Sequence, residues 1–369
     1  MKRLAILDYA RFIAAVMVVL YHYSFNGISN GKISSVSYIE PVIEFSRYGY
    51  LGVELFFMIS GYVIFFSANH RAAAHFVVSR AVRLYPAYWF AVILTSTMAA
   101  FFGGELMSVQ LSQVAWNMTM LHSFIWVPHV DGVYWTLVYE ITFYAAIATL
   151  LLLGMQKYLK QIFLCWPFII CAATLAHLDS YPYLGGYYCY FSAGAIFALL
   201  KHNKTPIVWL SLALAFVLCV EFSTGEAAVV SHNKGFYFSP WVIGAIVCVF
   251  FLIFLLQNTP KMQDIVLPYS KLVGALTYPL YLIHAHLGYM LISIFATEEN
   301  KLIVYFLVFS FVILLSYSIH YLVEEKLKRF WQQGFSRTLG FAINTMAAIM
   351  ANIFNYVRFQ LNSRAEDHR

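Results

Sequence analysis

Long apolar runs, separated by short polar stretches, follow one another along nearly the whole 369-residue chain. Several of them approach 20 residues, the length that an α-helix needs to cross the hydrocarbon core of a bilayer. The pattern therefore predicts an all-α, polytopic integral membrane protein with ten transmembrane helices. The predicted segments are residues 4–23, 50–68, 84–102, 133–153, 162–178, 185–200, 206–222, 240–257, 272–295 and 302–322.

Lysine and arginine are distributed unevenly over the loops that join these segments. One side of the ten-helix arrangement holds Lys2, Arg3, Arg71, Arg80, Arg83, Lys157, Lys160, Lys201, Lys204, Lys261, Lys271, Lys326, Lys328, Arg329 and Arg337. The other side holds only Lys32, Arg47, Lys234 and Lys301. Because cytoplasmic loops are enriched in these residues, the asymmetry predicts that both termini lie in the cytoplasm.

The pattern also divides the chain into a membrane domain, residues 1–330, and a C-terminal tail, residues 331–369. Within the tail, residues 338–357 are moderately apolar and interrupted by asparagines. They are predicted to form an amphipathic helix on the cytoplasmic surface, with an eleventh crossing as the alternative. The outer loops 24–49 and 103–132 are aromatic and sparsely charged, and we expect them to cap the helices on the outer side.

The composition agrees with a membrane protein, since 62% of the residues are hydrophobic and 11% are charged. Average soluble domains contain about 25% charged residues. The formal net charge of +6 does not indicate nucleic-acid binding, because the basic residues are dispersed. The five cysteines lie in apolar segments without the spacing of a metal site, so they are interpreted as packing residues and no metal is predicted.

The first apolar segment carries an aspartate, an arginine and a histidine, namely Asp8, Arg11 and His22. Ionisable groups at such positions are costly and usually face a protein interior or a wet cavity. Helical geometry puts His22 about 16 Å beyond Arg11 and about 20° round the helix, and Asp8 is close enough to Arg11 to pair with it. One face is therefore predicted to be a polar track, with His22 as a general base near its outer end.

Three later segments place further ionisable groups at a similar depth. A histidine with a carboxylate neighbour is a common general base near neutral pH, and Glu140 or Glu54 is the candidate neighbour of His22. Glu54 is also open to a purely orienting role for its helix. His284 is predicted to support the site, whereas a hydrogen-bonded core position and a functional role remain equally open for His286.

The start of the third segment has a different chemistry. Arg80 and Arg83 stand one turn apart at the predicted cytoplasmic surface, and the arginine fork binds phosphate through two hydrogen bonds. The positive-inside rule accounts for the same pair without any ligand, so both interpretations stay open. In the second segment, the small residues Ser60 and Gly61 permit either close helix packing or room for a ligand.

Taken in order, these residues resemble the motifs of the acyltransferase family 3 membrane proteins. The matching stretches are Arg-x10-His at Arg11 and His22, Gly52–Gly61, Arg80–Pro86, Trp135–Tyr144 with Glu140, and Tyr281–His284. Each motif alone is weak, but five in order over residues 4 to about 330 are specific. Glu54 stands where the family often has aspartate, and Glu324-Glu325-Lys326 lacks the proline common in the last motif.

The resemblance implies a bacterial inner-membrane enzyme that takes an acyl group, usually acetyl, from cytoplasmic acyl-CoA. The acceptor would be a hydroxyl of an extracytoplasmic or lipid-linked glycan, such as O-antigen or exopolysaccharide. No permanently bound cofactor is implied; acetyl-CoA is the donor substrate. Arg80 and Arg83 would hold the CoA phosphates, Arg11 would steady the donor, and His22, oriented by Glu140 or Glu54, would activate the acceptor hydroxyl. A transient acyl-enzyme is left open.

Three alternatives remain at this point. A proton-coupled secondary transporter would use Asp8, Arg11, His22 and Glu140 as its path, but it does not predict the Arg-x-x-Arg pair together with Arg-x10-His. A membrane-bound O-acyltransferase of another type would have a different arrangement of histidine and asparagine. An inactive scaffold of a polysaccharide export complex would tolerate the loss of His22. The acceptor sugar and the oligomeric state are not specified by the sequence.

Overall fold

The computed structural model describes residues 4–68 and 72–353, and this part of the chain is helical without any β-strand. Its main helices are α1 (Ala5–Tyr21), α2 (Gly52–Ala68), α3 (Ala73–Phe102), α4 (Trp135–Leu152), α5 (Leu159–Leu175), α6 (Tyr188–Leu200), α7 (Pro206–Lys234), α8 (Pro240–Gln257), α9 (Ser270–Ile283), α10 (Ala285–Phe295), α11 (Lys301–Ile319) and α12 (Lys328–Phe335). Short α-helical or 3₁₀ turns lie at Gly27–Ser29, Glu40–Ser46, Gly49–Leu51, Leu111–Asn117, His122–Ile125, Gly132–Tyr134, Met155–Tyr158 and Pro260–Gln263. π-helical turns follow α1, α11 and α12 at His22–Asn26, His320–Glu325 and Ser336–Gly340.

Within the described residues, eight helices are long and apolar enough to cross a membrane, and the bent pair α9–α10 adds a ninth if it is one span. The short helix α6 is about 20 Å long at 1.5 Å per residue, less than the roughly 30 Å of a bilayer core. All of its residues are buried. Each of the ten predicted segments thus falls on a helix and the all-α membrane fold is confirmed. The number of crossings and the side of the termini stay predictions.

The helices α2 and α6 cross at two glycines. A Cβ atom on Gly61 would collide with the carbonyl oxygen of Phe191, and one on Gly194 would collide with the carbonyl oxygen of Met58. Only glycine therefore allows the two backbones to approach so closely. The sequence left helix packing and a ligand as alternatives for this region, and the structure shows packing at Gly61, whereas Ser60 lines a cavity.

The segment predicted as one helix over residues 272–295 is instead two helices, α9 and α10, bent by 67°. His284 lies at the junction, and its Nδ1 atom donates a hydrogen bond to the Tyr281 carbonyl at 2.8 Å. In a continuous helix that carbonyl would accept from the N–H of residue 285. A side chain that enters the hydrogen-bond ladder in this way is a known cause of helix kinks, and hydropathy alone does not reveal it.

Part of the loop 103–132 packs along the side of α3. The hydroxyls of Tyr85 and Tyr88 and the indole N–H of Trp89 donate to the carbonyls of Thr119, Asn117 and Met118 at 3.0, 2.8 and 2.7 Å. Trp89 stands about 20 Å before the C-terminal end of α3, at 1.5 Å per residue. The loop therefore folds back along α3 to the middle of this helix, because three polar aromatic groups there donate to its backbone.

The C-terminal tail is helical from α12 through the π-helical turn and over residues 341–353. It packs on α3, with the rings of Trp331 and Trp89 5.8 Å apart and those of Phe335 and Tyr85 5.9 Å apart. The predicted amphipathic helix therefore starts about ten residues before residue 338, while residues 354–357 lie outside the described residues. Its position on the cytoplasmic surface stays a prediction.

Candidate active site

A cavity of about 510 Å³ lies between α1, α2, α3, α4 and α9, beside the turn that follows α11. We call it the arginine cavity, because three guanidinium groups line it. Its polar lining residues are Asp8, Arg11, Ser60, Ser79, Arg80, Arg83, Thr136, Glu140, Lys271, Thr277, His320, Glu324, Glu325 and Lys328. The structure thus brings the two arginines of α3 and the arginine of α1 to one cavity.

The two arginines of α3 are held by aromatic rings. The guanidinium carbon of Arg80 is 5.8 Å from the centre of the Tyr144 ring, and that of Arg83 is 5.3 Å from the centre of the Tyr278 ring. Such contacts stabilise a cation without consuming its hydrogen-bond donors. Arg83 also lies 3.6 Å from a carboxylate oxygen of Glu324, whereas no salt bridge to Arg80 occurs within the described residues. Arg80 therefore keeps donors for an anionic ligand.

Glu140 and Ser60 belong to the arginine cavity. The Oε1 atom of Glu140 accepts hydrogen bonds from the Ser60 hydroxyl at 3.3 Å and from the Tyr144 hydroxyl. Arg11 attracts the carboxylates of Asp8 and Glu140 electrostatically. A carboxylate beside Arg11 offsets part of the repulsion among the three guanidinium groups, so that they can share one cavity in a medium of low dielectric constant.

A second cavity of about 330 Å³ contains the predicted general base. We call it the histidine cavity. Its polar and aromatic lining residues are Tyr21, His22, Asn26, Asn30, Lys32, Tyr50, Trp135, Tyr187, Asn233, Lys234, Tyr281, His286 and Tyr289. Arg11 and His22 therefore open on two different cavities along α1, in agreement with their predicted separation along one face of this helix.

His22 begins the π-helical turn that ends α1, a distortion that often occurs at functional sites. Its Nδ1 atom makes a hydrogen bond with the Tyr289 hydroxyl and lies 3.4 Å from the side-chain nitrogen of Asn26. The oxygen of Asn26 accepts from Lys234 at 2.5 Å and from Tyr21 at 3.2 Å. Within the described part of the chain Nε2 makes no hydrogen bond, so the network holds the ring at one nitrogen and leaves the other for a ligand.

The break between α9 and α10 supplies two more imidazoles. The ring of His284 is buried and its centre is 4.9 Å from that of His22, in an edge-to-face arrangement. The Nε2 atom of His286 lies 2.7 Å from the Lys32 ammonium. Because an ammonium can only donate, this nitrogen of His286 is the acceptor. The Asp131 carboxylate accepts from the backbone N–H of His286 at 2.9 Å and so ties α10 to the start of α4.

The two cavities share a wall. Val53 and Tyr281 line both of them. The Tyr281 hydroxyl bonds to the Thr136 hydroxyl at 2.9 Å, and its ring packs edge-to-face against Phe56 at 5.4 Å. Val53 and Tyr281 therefore stand between the arginines of one cavity and His22 of the other.

The expected partnership of His22 with Glu140 or Glu54 is wrong. The partner of His22 is the uncharged Tyr289, and Glu140 points into the arginine cavity. Glu54 is only 2% exposed and lines neither cavity. Counting residues along a helix gives the depth of a side chain but not its direction, and the direction decides these contacts. A catalytic role of Glu140 in the arginine cavity stays a prediction.

The sequence analysis did not single out Tyr289, Asn26, Lys32 or Lys234 as site residues. Tyr289 is separated from His22 by 267 positions, and no local pattern marks it. The two lysines carried a usable signal, because they belong to the few basic residues on the sparsely charged side of the chain. Basic residues that oppose the positive-inside rule are candidates for a functional role.

A pair of histidines lies outside both cavities, in the segment that folds back along α3. The Nε2 atom of His122 is 2.7 Å from the Nδ1 atom of His129. Burial lowers the pKa of His122 to about 4, and the neighbouring imidazole contributes. Burial also lowers the pKa of His129, opposed by Asp131. Within the described residues no cluster of three or more His, Cys, Asp or Glu side chains is arranged to hold a metal ion.

The comparison with known families gives a clear result. The family model of acyltransferase family 3, described as an acyltransferase domain, matches residues 4–321 of the 369-residue chain. The chain belongs to acyltransferase family 3. The match spans the whole histidine cavity and ends just before Glu324, at the end of the arginine cavity. No curated protein and no solved structure matches this member of the family.

The family and the apolar helices together identify a multi-pass membrane acyltransferase. This assignment favours the enzyme over the transporter, because the match contains the whole histidine cavity and the three arginines of the arginine cavity. The same ionisable residues that a transporter would use as a path, Asp8, Arg11, His22 and Glu140, are divided between two cavities with a wall between them.

Proposed function

We infer that this acyltransferase moves an acyl group, most simply acetyl, from acyl-CoA in the arginine cavity to a glycan hydroxyl in the histidine cavity. The observation that carries the proposal is the shared wall of Val53 and Tyr281 between the two cavities. A thioester that approaches this wall from one side meets a hydroxyl that approaches it from the other side when the side chains of Val53 and Tyr281 move aside. Neither substrate then has to cross the whole protein.

The donor side suits a phosphate-bearing ligand with a long arm. Arg80 has guanidinium donors without a carboxylate partner in the described residues, and Arg83 lies one turn away. The cavity volume of about 510 Å³ falls in the range of about 300–1,000 Å³ that is common for ligand sites. The phosphates of CoA would bind the arginines of α3, and its pantetheine arm would follow Arg11 toward Tyr281.

The acceptor side supplies the base. His22 takes the proton of the acceptor hydroxyl on Nε2, and the oxygen attacks the thioester carbonyl. The tetrahedral intermediate then breaks its carbon–sulfur bond, and the CoA thiolate receives the proton from His22. This direct transfer uses no protein nucleophile. It requires the hydrogen of His22 to reside on Nδ1, where the oxygen of Tyr289 accepts it.

A glycan acceptor fits the lining of the histidine cavity. Trp135, Tyr187 and Tyr50 offer ring faces and edges for the apolar side of a sugar, and the asparagines Asn26 and Asn30 offer hydrogen bonds to its hydroxyls. We place this cavity on the extracytoplasmic side of a bacterial inner membrane, with ten crossings and both termini in the cytoplasm. The arginine cavity then faces cytoplasmic acyl-CoA.

Binding of the donor tests the proposal directly. Purified protein in nanodiscs is titrated with acetyl-CoA, and the double variant Arg80→Ala/Arg83→Ala is compared with Arg337→Ala, which removes an exposed charge from the tail. Loss of charge-assisted phosphate contacts is expected to weaken binding by about tenfold or more in the double variant only. Equal affinity in all three proteins would mean that Arg80 and Arg83 serve only to orient the protein in the membrane. No binding by folded protein would reject acyl-CoA as the donor.

A further inference from the structure

Two lysines reach into the histidine cavity without a carboxylate partner. The Nζ atom of Lys234 donates to the Asn26 side-chain oxygen at 2.5 Å, and that of Lys32 donates to the Nε2 atom of His286 at 2.7 Å. Neither lysine takes part in a salt bridge within the described residues. Both ammonium groups are therefore held by neutral acceptors, which leaves their charge unpaired.

The other two basic residues of the same sparsely charged side behave differently. Arg47 pairs with Glu44 at 2.7 Å, and Lys301 pairs with Glu298 at 2.6 Å. Both pairs lie outside the two cavities. The unpaired state of Lys32 and Lys234 is thus specific to the cavity and is not a general property of that end of the molecule.

No aspartate or glutamate of the described residues lines the histidine cavity. The carboxylate that interacts with Lys32 electrostatically is Asp131, and its two oxygens accept backbone N–H groups of Val133 at 3.1 Å and of His286 at 2.9 Å. Burial lowers the pKa of the Lys32 ammonium, and Asp131 opposes this shift. An anion bound in the cavity would offset part of the cost of burying this cation.

The two cations lie at the reactive end of the cavity. Both interact electrostatically with the ring of His22, and Lys234 binds the same Asn26 that contacts this ring. Three asparagines, Asn26, Asn30 and Asn233, stand among the lining residues and can serve sugar hydroxyls. The cavity therefore combines neutral polar groups for a sugar with positive charge beside the base.

We propose that the acceptor is an anionic glycan, whose acylated or adjacent sugar carries a carboxylate or a phosphate that binds Lys32 and Lys234. The proposal rests on the proposed function of the histidine cavity as the acceptor site. An anionic acceptor explains both the two unpaired ammonium groups and the lack of carboxylates among the described lining residues. A hydrogen bond between two ions is about twice as strong as one between neutral groups, so these lysines would favour an anionic sugar.

Matched sugars test the charge requirement. Methyl glucuronide, methyl glucoside and glucose 1-phosphate are titrated by calorimetry into the acetyl-CoA-loaded protein in nanodiscs. Wild-type protein is expected to bind at least one anionic sugar about tenfold or more tightly than the neutral sugar. A preference for the glucuronide points to a carboxylate on the glycan, and a preference for glucose 1-phosphate points to a phosphate-linked carrier.

Variants assign the preference to the cavity. Lys32→Met/Lys234→Met is expected to abolish the discrimination, whereas Arg47→Met/Lys301→Met removes two charges outside the cavity and should retain it. Lys32→Arg/Lys234→Arg keeps the charges and should also retain it, which separates loss of charge from loss of folding. Equal binding of charged and neutral sugars, or no binding of either anion, overturns the anionic acceptor. A different result, no binding of acetyl-CoA by folded protein, would reject the proposed acyl transfer itself.

Discussion

At the scale of single residues, the base of the proposed reaction is oriented without a carboxylate. Tyr289 fixes one nitrogen of His22, Asn26 donates to the Tyr289 hydroxyl at 3.1 Å, and Lys234 in turn fixes Asn26. A network of this kind, without a carboxylate, sets the direction of the ring and leaves the charge of Lys234 to be balanced by a substrate. It also explains why a search for an acid near His22 pointed to the wrong residues.

Replacement of the base tests its role. His22→Ala is expected to lower the turnover number by about 10²- to 10⁴-fold, the usual contribution of a general base. Acetyl-CoA affinity should stay unchanged, because His22 does not line the arginine cavity. Transfer is measured with radiolabelled acetyl-CoA, and His232→Ala, an exposed position on α7, serves as the control. Turnover retained by His22→Ala would remove this residue as the base.

Tyr289 is a positioning residue in this scheme. Tyr289→Phe removes the hydroxyl and keeps the ring, so turnover should fall about 2- to 10-fold, the equivalent of one hydrogen bond. The pH–rate profile should also shift, because the protonation of His22 Nε2 is coupled to the bond at Nδ1. A merely structural role would lower the melting temperature without a shift of this profile. An unchanged profile in a stable variant would therefore contradict the assignment.

At the scale of elements, the crossing of α2 and α6 holds one wall of the arginine cavity in place. Gly61→Leu would drive a side chain into the backbone of α6, and overpacking of a core usually costs about 1–3 kcal/mol. We expect a lower melting temperature in detergent and weaker binding of acetyl-CoA, since Ser60 is adjacent. The control is Gly225→Leu on α7, where a Cβ atom meets no neighbour within 4 Å. Equal melting temperatures of the two variants would disprove the crossing.

The segment that folds back along α3 adds a pH dependence of stability. The pKa of His122 falls from an ordinary value of about 6.5 to about 4 on folding, because the side chain is buried beside His129. The unfolded chain therefore binds more protons between these values, and stability is complete above pH 6.5 and declines as the pH falls toward 4. Thermal unfolding at pH 7 and pH 4.5 measures this loss. His122→Asn should reduce it, and His232→Asn should not.

At the scale of the whole molecule, the orientation can be checked with two fusions. With ten crossings, alkaline phosphatase placed after Gly235 should be exported and active, whereas the same reporter after Arg337 should stay in the cytoplasm and be inactive. The reason is the distribution of lysine and arginine, because loops that are rich in these residues stay in the cytoplasm. Activity after Arg337 would overturn the orientation. Inactivity at both positions would show that the number of crossings between them is even.

The sequence predicted much of this architecture for a simple reason. An apolar run of about 20 residues has few stable conformations in a bilayer other than a helix, so each of the ten predicted segments is helical. The arginine pair of α3, Arg11 and the His22 position followed from ordered motifs and from helical spacing. Both cavities lie on the predicted polar face of α1.

The tertiary structure alone decided how these residues combine. The contacts that define the histidine cavity join His22 to Tyr289 and Lys32 to His286 over 267 and 254 positions, and hydropathy contains no information on such pairs. Depth along a helix follows from counting, whereas the rotation and tilt that aim a side chain follow from packing at sites such as Gly61. The sequence therefore determined which residues enter the membrane, and packing between distant helices determined which of them meet.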